Sequence, residues 1–164
     1  MVYIVCGISG CGKSSIAKRL ADKLGLPFRD GDNYHTEANK LKMRNGVPLE
    51  DEDRWPWLKS IKDDIVRFPN AVFACSALKK KYREFLAQGL QNQIVFIFLS
   101  VTIEILRNRL ECRKDHFFNP NLLNSQLIAL EVPTENESSN YSVFVFSNDF
   151  ETADKSVLAI LDNL

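Results

Sequence analysis

Gly7-Ile8-Ser9-Gly10-Cys11-Gly12-Lys13-Ser14 follows the apolar run Val2-Tyr3-Ile4-Val5-Cys6, and beyond it Ile16, Ala17, Leu20, Ala21 and Leu24 recur at helical spacing. A G-x-x-x-x-G-K-S stretch between a buried strand and a helix start is a phosphate-binding loop in the context its physics requires. The glycines let successive backbone N–H groups turn inward without Cβ clashes, and the helix N-terminus adds partial positive charge. Gly7, Ser9, Gly10, Cys11, Gly12, Lys13, Ser14 and Ser15 are therefore the expected cradle for a nucleoside triphosphate. Lys13 would reach the β- and γ-phosphates, and the Ser14 hydroxyl would be a ligand to Mg²⁺.

Outward from that loop, helices and strands alternate. A short strand is expected at Leu26–Arg29, ending in Asp30-Gly31-Asp32. A polar helix over His35–Arg44 is broken by Asn45-Gly46-Val47-Pro48. A helix from Asp51 carries Trp55, Leu58, Ile61, Ile65 and Phe68 on one face. Ala71–Cys75 and Gln93–Ser100 read as strands buried on both faces. Between them lies a basic helix, Lys79 to about Gln88; after them comes a helix over Glu104–Arg113. Residues 114–134 hold two prolines and many Asn; they read as a loop–helix–loop excursion outside the core. Glu135–Asn140 reads as an exposed turn, Tyr141–Ser147 as a last strand, and Thr152–Leu161 as a closing helix. The pattern predicts an α/β P-loop NTPase fold, a parallel sheet with helices on both faces. Ligands in such sheets bind beyond the carboxyl ends of the strands, where the phosphate loop, Asp30-Gly31-Asp32 and Cys75-Ser76 should converge.

The 164 residues suit one domain, and 45% hydrophobic content is enough for a sizeable core. Lys plus Arg and Asp plus Glu are both 21, so no global basic field recruits nucleic acid or an acidic membrane. No apolar run is long enough to span a bilayer. The cysteines Cys6, Cys11, Cys75 and Cys112 lack metal-like spacing and suit reduced thiols. The expectation is a soluble cytoplasmic protein with neither nucleic-acid nor membrane partners.

The acceptor of the phosphate must be sought among other residues. In Asp30-Gly31-Asp32 one acid could hold a metal-bound water while the other takes the proton of an acceptor hydroxyl; general-base help is worth roughly 10²–10⁴-fold. The alternative is a plain turn with Asp32 capping the next segment. His35 could donate to a substrate oxygen or simply sit on an exposed helix. Arg54 could bind an anion or pair with Asp51, Glu52 or Asp53 for under about 1 kcal/mol. Trp55 and Trp57 suit packing better than a stacking platform. Lys79 and Arg83 are i and i+4 and could jointly hold an anionic group, as could Arg109 and Arg113 at the mouth of the excursion. An arginine over the transferring phosphoryl group would stabilise its equatorial charge, and on a movable segment it would exclude water.

Taken together, several stretches resemble the gluconokinases of the small P-loop type. These are Asp30-Gly31-Asp32-Asn33-Tyr34-His35, Asn39, Lys42-Met43, Gly46, Pro48-Leu49, Asp51, Asp53-Arg54, Pro56-Trp57-Leu58 and Cys75-Ser76-Ala77-Leu78-Lys79. Tyr82-Arg83, Arg109, Arg113, His116-Phe117, Leu122-Leu123, Ser125-Gln126 and Leu130-Glu131 continue the likeness to about Pro133. Shikimate kinases share the loop and a D-x-D, but carry a triple glycine where this chain has Cys75-Ser76-Ala77. The resemblance implies transfer of the ATP γ-phosphate to the 6-hydroxyl of D-gluconate by a nucleoside-monophosphate-kinase-like fold, a lid at about 110–134, and a homodimer. It implies Lys13, Asp32 and Arg113 as catalytic residues, with Arg109 and Arg113 joining the loop around ATP. Asp32, His35, Arg54, Lys79, Arg83, His116 and Gln126 would meet gluconate; Ser14 and Asp30 would hold Mg²⁺. The chain departs from the family pattern at Thr36, where Pro is usual, at Phe118, and from Val132 through Ser147. A kinase of another small anionic polyol or of a nucleotide remains an alternative, as does a nucleotide-binding regulator without catalysis, although Lys13 and Asp32 are both present.

Overall fold

The computed structural model describes residues 1–111, 120–148 and 152–164. The chain runs through β1 (Val2–Cys6), α1 (Lys13–Leu24), β2 (Phe28–Asp30), a 3-10 turn (Gly31–Tyr34), α2 (Glu37–Arg44) and α3 (Asp51–Arg67). It continues through β3 (Ala71–Ala74), α4 (Lys80–Ala87), β4 (Ile94–Ser100), α5 (Ile103–Glu111), α6 (Pro120–Ala129), β5 (Ser142–Ser147) and α7 (Ala153–Leu161). The strands form one sheet in the order β2-β3-β1-β4-β5, with every pairing parallel. Val2 lies between Ala71 and Ile94 in register, so β1 is central and the phosphate loop leaves the middle of the sheet.

Burial explains the strand sequences. Ala71–Ala74 and Ile94–Leu99 are buried throughout, because helices cover both faces of the inner strands. On the edge strand β5, Val143 is buried while Val145 is exposed. One face of the sheet packs Ile4, Phe73 and Phe96 under Trp57, Leu58 and Ile61 of α3 and Tyr82 and Leu86 of α4. The other face packs Val5, Val72 and Ile97 under Ile16 and Leu20 of α1 and Val157 and Ile160 of α7.

The P-loop α/β architecture matches the sequence expectation, with shifts at element ends. The strand expected at Leu26–Arg29 begins at Phe28 instead, since Pro27 lies just before it. The helix expected from His35 starts at Glu37, because the Thr36 hydroxyl accepts the Asn39 N–H and caps it. Lys79 precedes α4 in an extended conformation rather than joining it.

Two regions read as peripheral are partly built into the body. Leu123 of α6 is buried in the α1-side core, with Leu127 and Leu130 packed against it. The Glu131 N–H donates to the Leu78 carbonyl at 2.9 Å, tying the chain after α6 to the end of β3. In the polar turn before β5, the Glu137 side chain is only 7% exposed. The buried Arg83 guanidinium draws it inward.

Candidate active site

The phosphate loop is shaped by close approach. Gly7 has φ 142, and a Cβ there would meet the Cys11 sulfur at 2.9 Å and the Leu99 carbonyl at 3.0 Å. Gly12, at φ 92, is the N-cap of α1. The backbone N–H groups of Gly10, Gly12, Lys13, Ser14 and Ser15 have no acceptor among the described residues. Such a run of unpaired amides at a helix N-terminus is an anion cradle.

Side chains from distant elements brace this loop. Asn148, just past β5, is buried; its Nδ2 donates to the Cys11 carbonyl at 2.5 Å and its Oδ1 accepts from the Ser156 hydroxyl at 2.6 Å. Arg109 of α5 donates to the Asn148 carbonyl at 2.9 Å and to the Cys11 carbonyl at 3.4 Å. Arg109 thus lies against the phosphate loop. Asn148 was missed; its one sequence signal was a polar residue directly after the last parallel strand. Gln126 was expected at the acceptor, but α6 lies over the loop instead. Its Oε1 accepts the Ser9 N–H at 2.8 Å and its Nε2 donates to the Ser9 hydroxyl at 3.1 Å.

The opposite wall begins at Asp30-Gly31-Asp32. A Cβ on Gly31 would collide with the Ala74 carbonyl, so only glycine lets this turn press against the end of β3. The Asp30 carboxylate accepts the Asp32 N–H at 3.0 Å, and the Gly31 carbonyl accepts from the Trp57 indole N–H at 2.7 Å. Trp57 in turn carries His35, stacked with ring centroids 4.5 Å apart and planes 11° from parallel. The His35 imidazole is therefore nearly buried, with Nε2 4.0 Å from the exposed Asp32 carboxylate. Burial holds its pKa below the ordinary histidine value, with Arg54 and Lys40 acting in the same sense against Asp32. His35 is accordingly neutral at pH 7.

Arg54 completes this wall. It is 7% exposed, and its Nε donates to the Leu49 carbonyl at 3.3 Å; no other hydrogen bond or ion pair engages its side chain among the described residues. The neighbouring acids are committed elsewhere. Asp51 accepts from Lys79, Lys81 and the Tyr82 hydroxyl, while Asp53 accepts from Lys42 at 2.6 Å and from the Glu50 N–H at 2.9 Å. Arg54 therefore forms no ion pair with Asp51, Glu52 or Asp53 among the described residues, although its charge helps to hold the Asp53 pKa down. The buried Cys75 thiol, just past β3, feels the charges of Asp32, Lys13 and Arg54, so all three are within electrostatic reach of that strand end. Burial pushes that thiol up to about 12, so it stays protonated and is no nucleophile.

Arg83 does not join them. The expectation of an acceptor-binding Arg83 is corrected, because its side chain is fully buried and every N–H is used. Nε and Nη2 donate to Glu137 at 2.8 and 2.6 Å, Nη1 to the Ala77 and Leu78 carbonyls at 2.8 and 3.2 Å, and Nη2 to the Glu131 carbonyl at 3.1 Å. Such a guanidinium has no donor left for a ligand. Nor does it share a helix face with Lys79, which lies outside α4 and donates to Asp51 at 2.8 Å. Arg113 and His116 lie outside the described residues.

Among the described residues no cluster of three or more His, Cys, Asp or Glu could cage a metal. The donors present nevertheless fit Mg²⁺, which takes one or two protein oxygens and completes its shell with water and phosphates. Ser14 in the first turn of α1 and Asp30 at the end of β2 would be those oxygens.

A family model described as shikimate kinase matches residues 9–164. The chain is 42% identical to a probable gluconokinase of Dictyostelium discoideum, over 100% of this chain and 86% of that one. It is also 42% identical to the gluconokinase of Gluconobacter oxydans, over 82% of this chain and 77% of the other. Among solved structures, a gluconokinase from Sinorhizobium meliloti superposes with a TM-score of 0.83 at 34% identity, covering 98% of this chain and 89% of that one.

Proposed function

The chain belongs to the shikimate kinase family and, within it, to the gluconokinases, and on that premise we propose that it phosphorylates D-gluconate at the 6-hydroxyl with ATP. The observation that carries the acceptor assignment is Arg54, a nearly buried cation without an ion pair among the described residues, within electrostatic reach of the same strand end as Lys13 and Asp32. Its Nη groups have no protein partner among the described residues and are not sealed from solvent, so they are open to a ligand. A substrate carboxylate would take charge-assisted hydrogen bonds from them.

In this reading the loop amides and Lys13 hold the β- and γ-phosphates and draw charge from the leaving ADP. Ser14 and Asp30 would hold Mg²⁺, which would supply further neutralisation of that charge. Gluconate lies with its carboxylate on Arg54 and its far end at Asp32. The Asp32 carboxylate accepts the proton of the 6-hydroxyl as that oxygen bonds to the γ-phosphorus, and the bond from phosphorus to the ADP oxygen breaks. Neutral His35 donates toward the same reacting end. Lys79 stands at the rim, where Asp51 holds it until an anionic substrate competes. Arg109 borders the nucleotide. The enzyme works as a cytoplasmic homodimer, a state that sedimentation velocity would test.

The deciding experiment is ADP release from Mg-ATP with gluconate, shikimate, glycerate and nucleoside monophosphates in parallel. Gluconate-dependent turnover with 6-phosphogluconate as product is expected. Turnover with another acceptor alone would overturn the assignment.

A further inference from the structure

We propose that Asn39 is a positioning residue that sets the tautomer of His35, keeping the proton on Nε2 so that it faces Asp32 and the reacting hydroxyl. Asn39 is 2% exposed and lies in the first turn of α2, behind His35. Its Nδ2 donates to the Asp53 carbonyl at 2.8 Å. A carbonyl only accepts, so this contact settles which end of the Asn39 amide is nitrogen.

That same Nδ2 lies 3.4 Å from His35 Nδ1. With the amide orientation settled, a proton on Nδ1 would set two donors against each other. A lone pair on Nδ1 instead receives the second amide hydrogen. The far side of the ring agrees, since Nε2 faces an acceptor, the Asp32 carboxylate. A neutral imidazole has one proton to place, and both neighbours favour the same nitrogen. Stacking on Trp57, itself tied to the Gly31 carbonyl, fixes the plane of the ring, and a half-turn that keeps that plane would put carbon instead of nitrogen against both Asn39 and Asp32. Asp53 adds rigidity: its side chain holds Lys42 of α2 while its carbonyl holds Asn39, so α2 is clipped to the start of α3 at both places.

The consequence for catalysis is directional. A hydrogen on Nε2 steadies the Asp32 carboxylate in the orientation that receives the substrate proton. The other tautomer would aim a lone pair at a carboxylate and repel it. This role rests on the proposed acceptor site, but its primary test does not need turnover.

The chain holds two histidines, so long-range ¹H–¹⁵N correlation of the imidazole rings gives an uncrowded spectrum. His35→Gln assigns the signals by deletion. At pH 7.5 the wild-type protein should show His35 with Nε2 protonated and Nδ1 bare. A bare Nε2 overturns the proposal, whatever the enzyme's substrate proves to be. Asn39→Ala should give a tautomer mixture, and Asn39→Asp, whose carboxylate accepts rather than donates, should move the proton to Nδ1. Both variants should lose at least about tenfold in kcat with gluconate while KM for ATP stays within about twofold. An unchanged His35 spectrum in folded Asn39→Ala, checked by circular dichroism, overturns the role of Asn39. Loss of kcat without a tautomer change would mark Asn39 as merely structural and equally overturn it.

Discussion

Arg54 on α3 and Arg83 on α4 are both buried, and both follow closely on acidic or basic runs. Their surroundings differ in what remains uncommitted. Arg83 spends its whole guanidinium on three backbone carbonyls and Glu137, joining α4, the end of β3 and the segment before β5. Arg54 is held at its Nε alone. A fully satisfied buried cation tightens a fold, whereas one without a partner leaves stability unclaimed until a ligand arrives. The same residue type thus serves structure on one helix and, in the proposed function, recognition on the next.

The sharpest way to break this contrast is to remove each arginine and measure unfolding. Arg83→Ala leaves Glu137 buried and unpaired, and should cost about 3–5 kcal/mol in urea denaturation. Arg54→Met removes a charge without a counter-ion and should leave stability unchanged or slightly raised. Equal losses would show that the two sites are not different in kind. The pH dependence adds a second handle. Burial alone would raise the Glu137 pKa, but hydrogen bonds from Arg83 and Tyr141, with the Arg83 charge, hold it below the ordinary value. A depressed native pKa contributes stability that is full above the unfolded value of about 4.3 and is lost as pH falls through the native one. In Arg83→Ala the sign reverses: an unpaired buried Glu137 prefers its proton. That variant should therefore recover part of its deficit on going from pH 7 to pH 4.

Next in size are effects on turnover. Asp32→Asn keeps the turn but cannot take a proton, and should lower kcat by at least roughly 10²-fold if Asp32 is the base. A near-normal kcat would mean that positioning alone suffices. Arg54→Ala should raise KM for gluconate by about 10- to 100-fold, the value of a charge-assisted hydrogen-bonded contact, with KM for ATP little changed. An effect confined to ATP would put Arg54 on the wrong side of the cleft.

What could be read from the chain obeys the same division. The phosphate loop was legible because its geometry is local: glycines, strand and helix are adjacent in sequence. The parallel sheet was legible from continuous apolar runs such as Ala71–Ala74. Arg54 and Arg83 could not be told apart, because which acid pairs with which is decided across the fold. Asp51 and Asp53 adjoin Arg54 in the chain yet turn to Lys79 and Lys42, while Glu137 lies 54 residues from Arg83. Asn148 reaches the loop across 137 residues and Gln126 across 117, distances at which no spacing rule operates. Asn39 stood in the resembling stretch without a role until its neighbours were visible.

The smallest predicted effect concerns the loop between the two arginines. Ala77 sits at φ 40, a left-handed conformation that costs a non-glycine residue about 1–2 kcal/mol. Glycine adopts that conformation freely, so Ala77→Gly looks like a simple repair. Relief of strain is opposed by two losses of similar size. Glycine frees the unfolded chain by about 0.4–1 kcal/mol, and the buried Ala77 methyl forfeits about 0.8 kcal/mol of burial. The net change should stay within about 1 kcal/mol by thermal unfolding. Arg83 decides the remainder, since its Nη1 holds the Ala77 carbonyl at 2.8 Å and keeps the turn in place whichever residue forms it. If Ala77→Gly instead stabilised by well over 1 kcal/mol, the strain would exceed what that hydrogen bond and the buried methyl offset. The loop would then be a stressed part of the acceptor site rather than an extension of the Arg83 anchor.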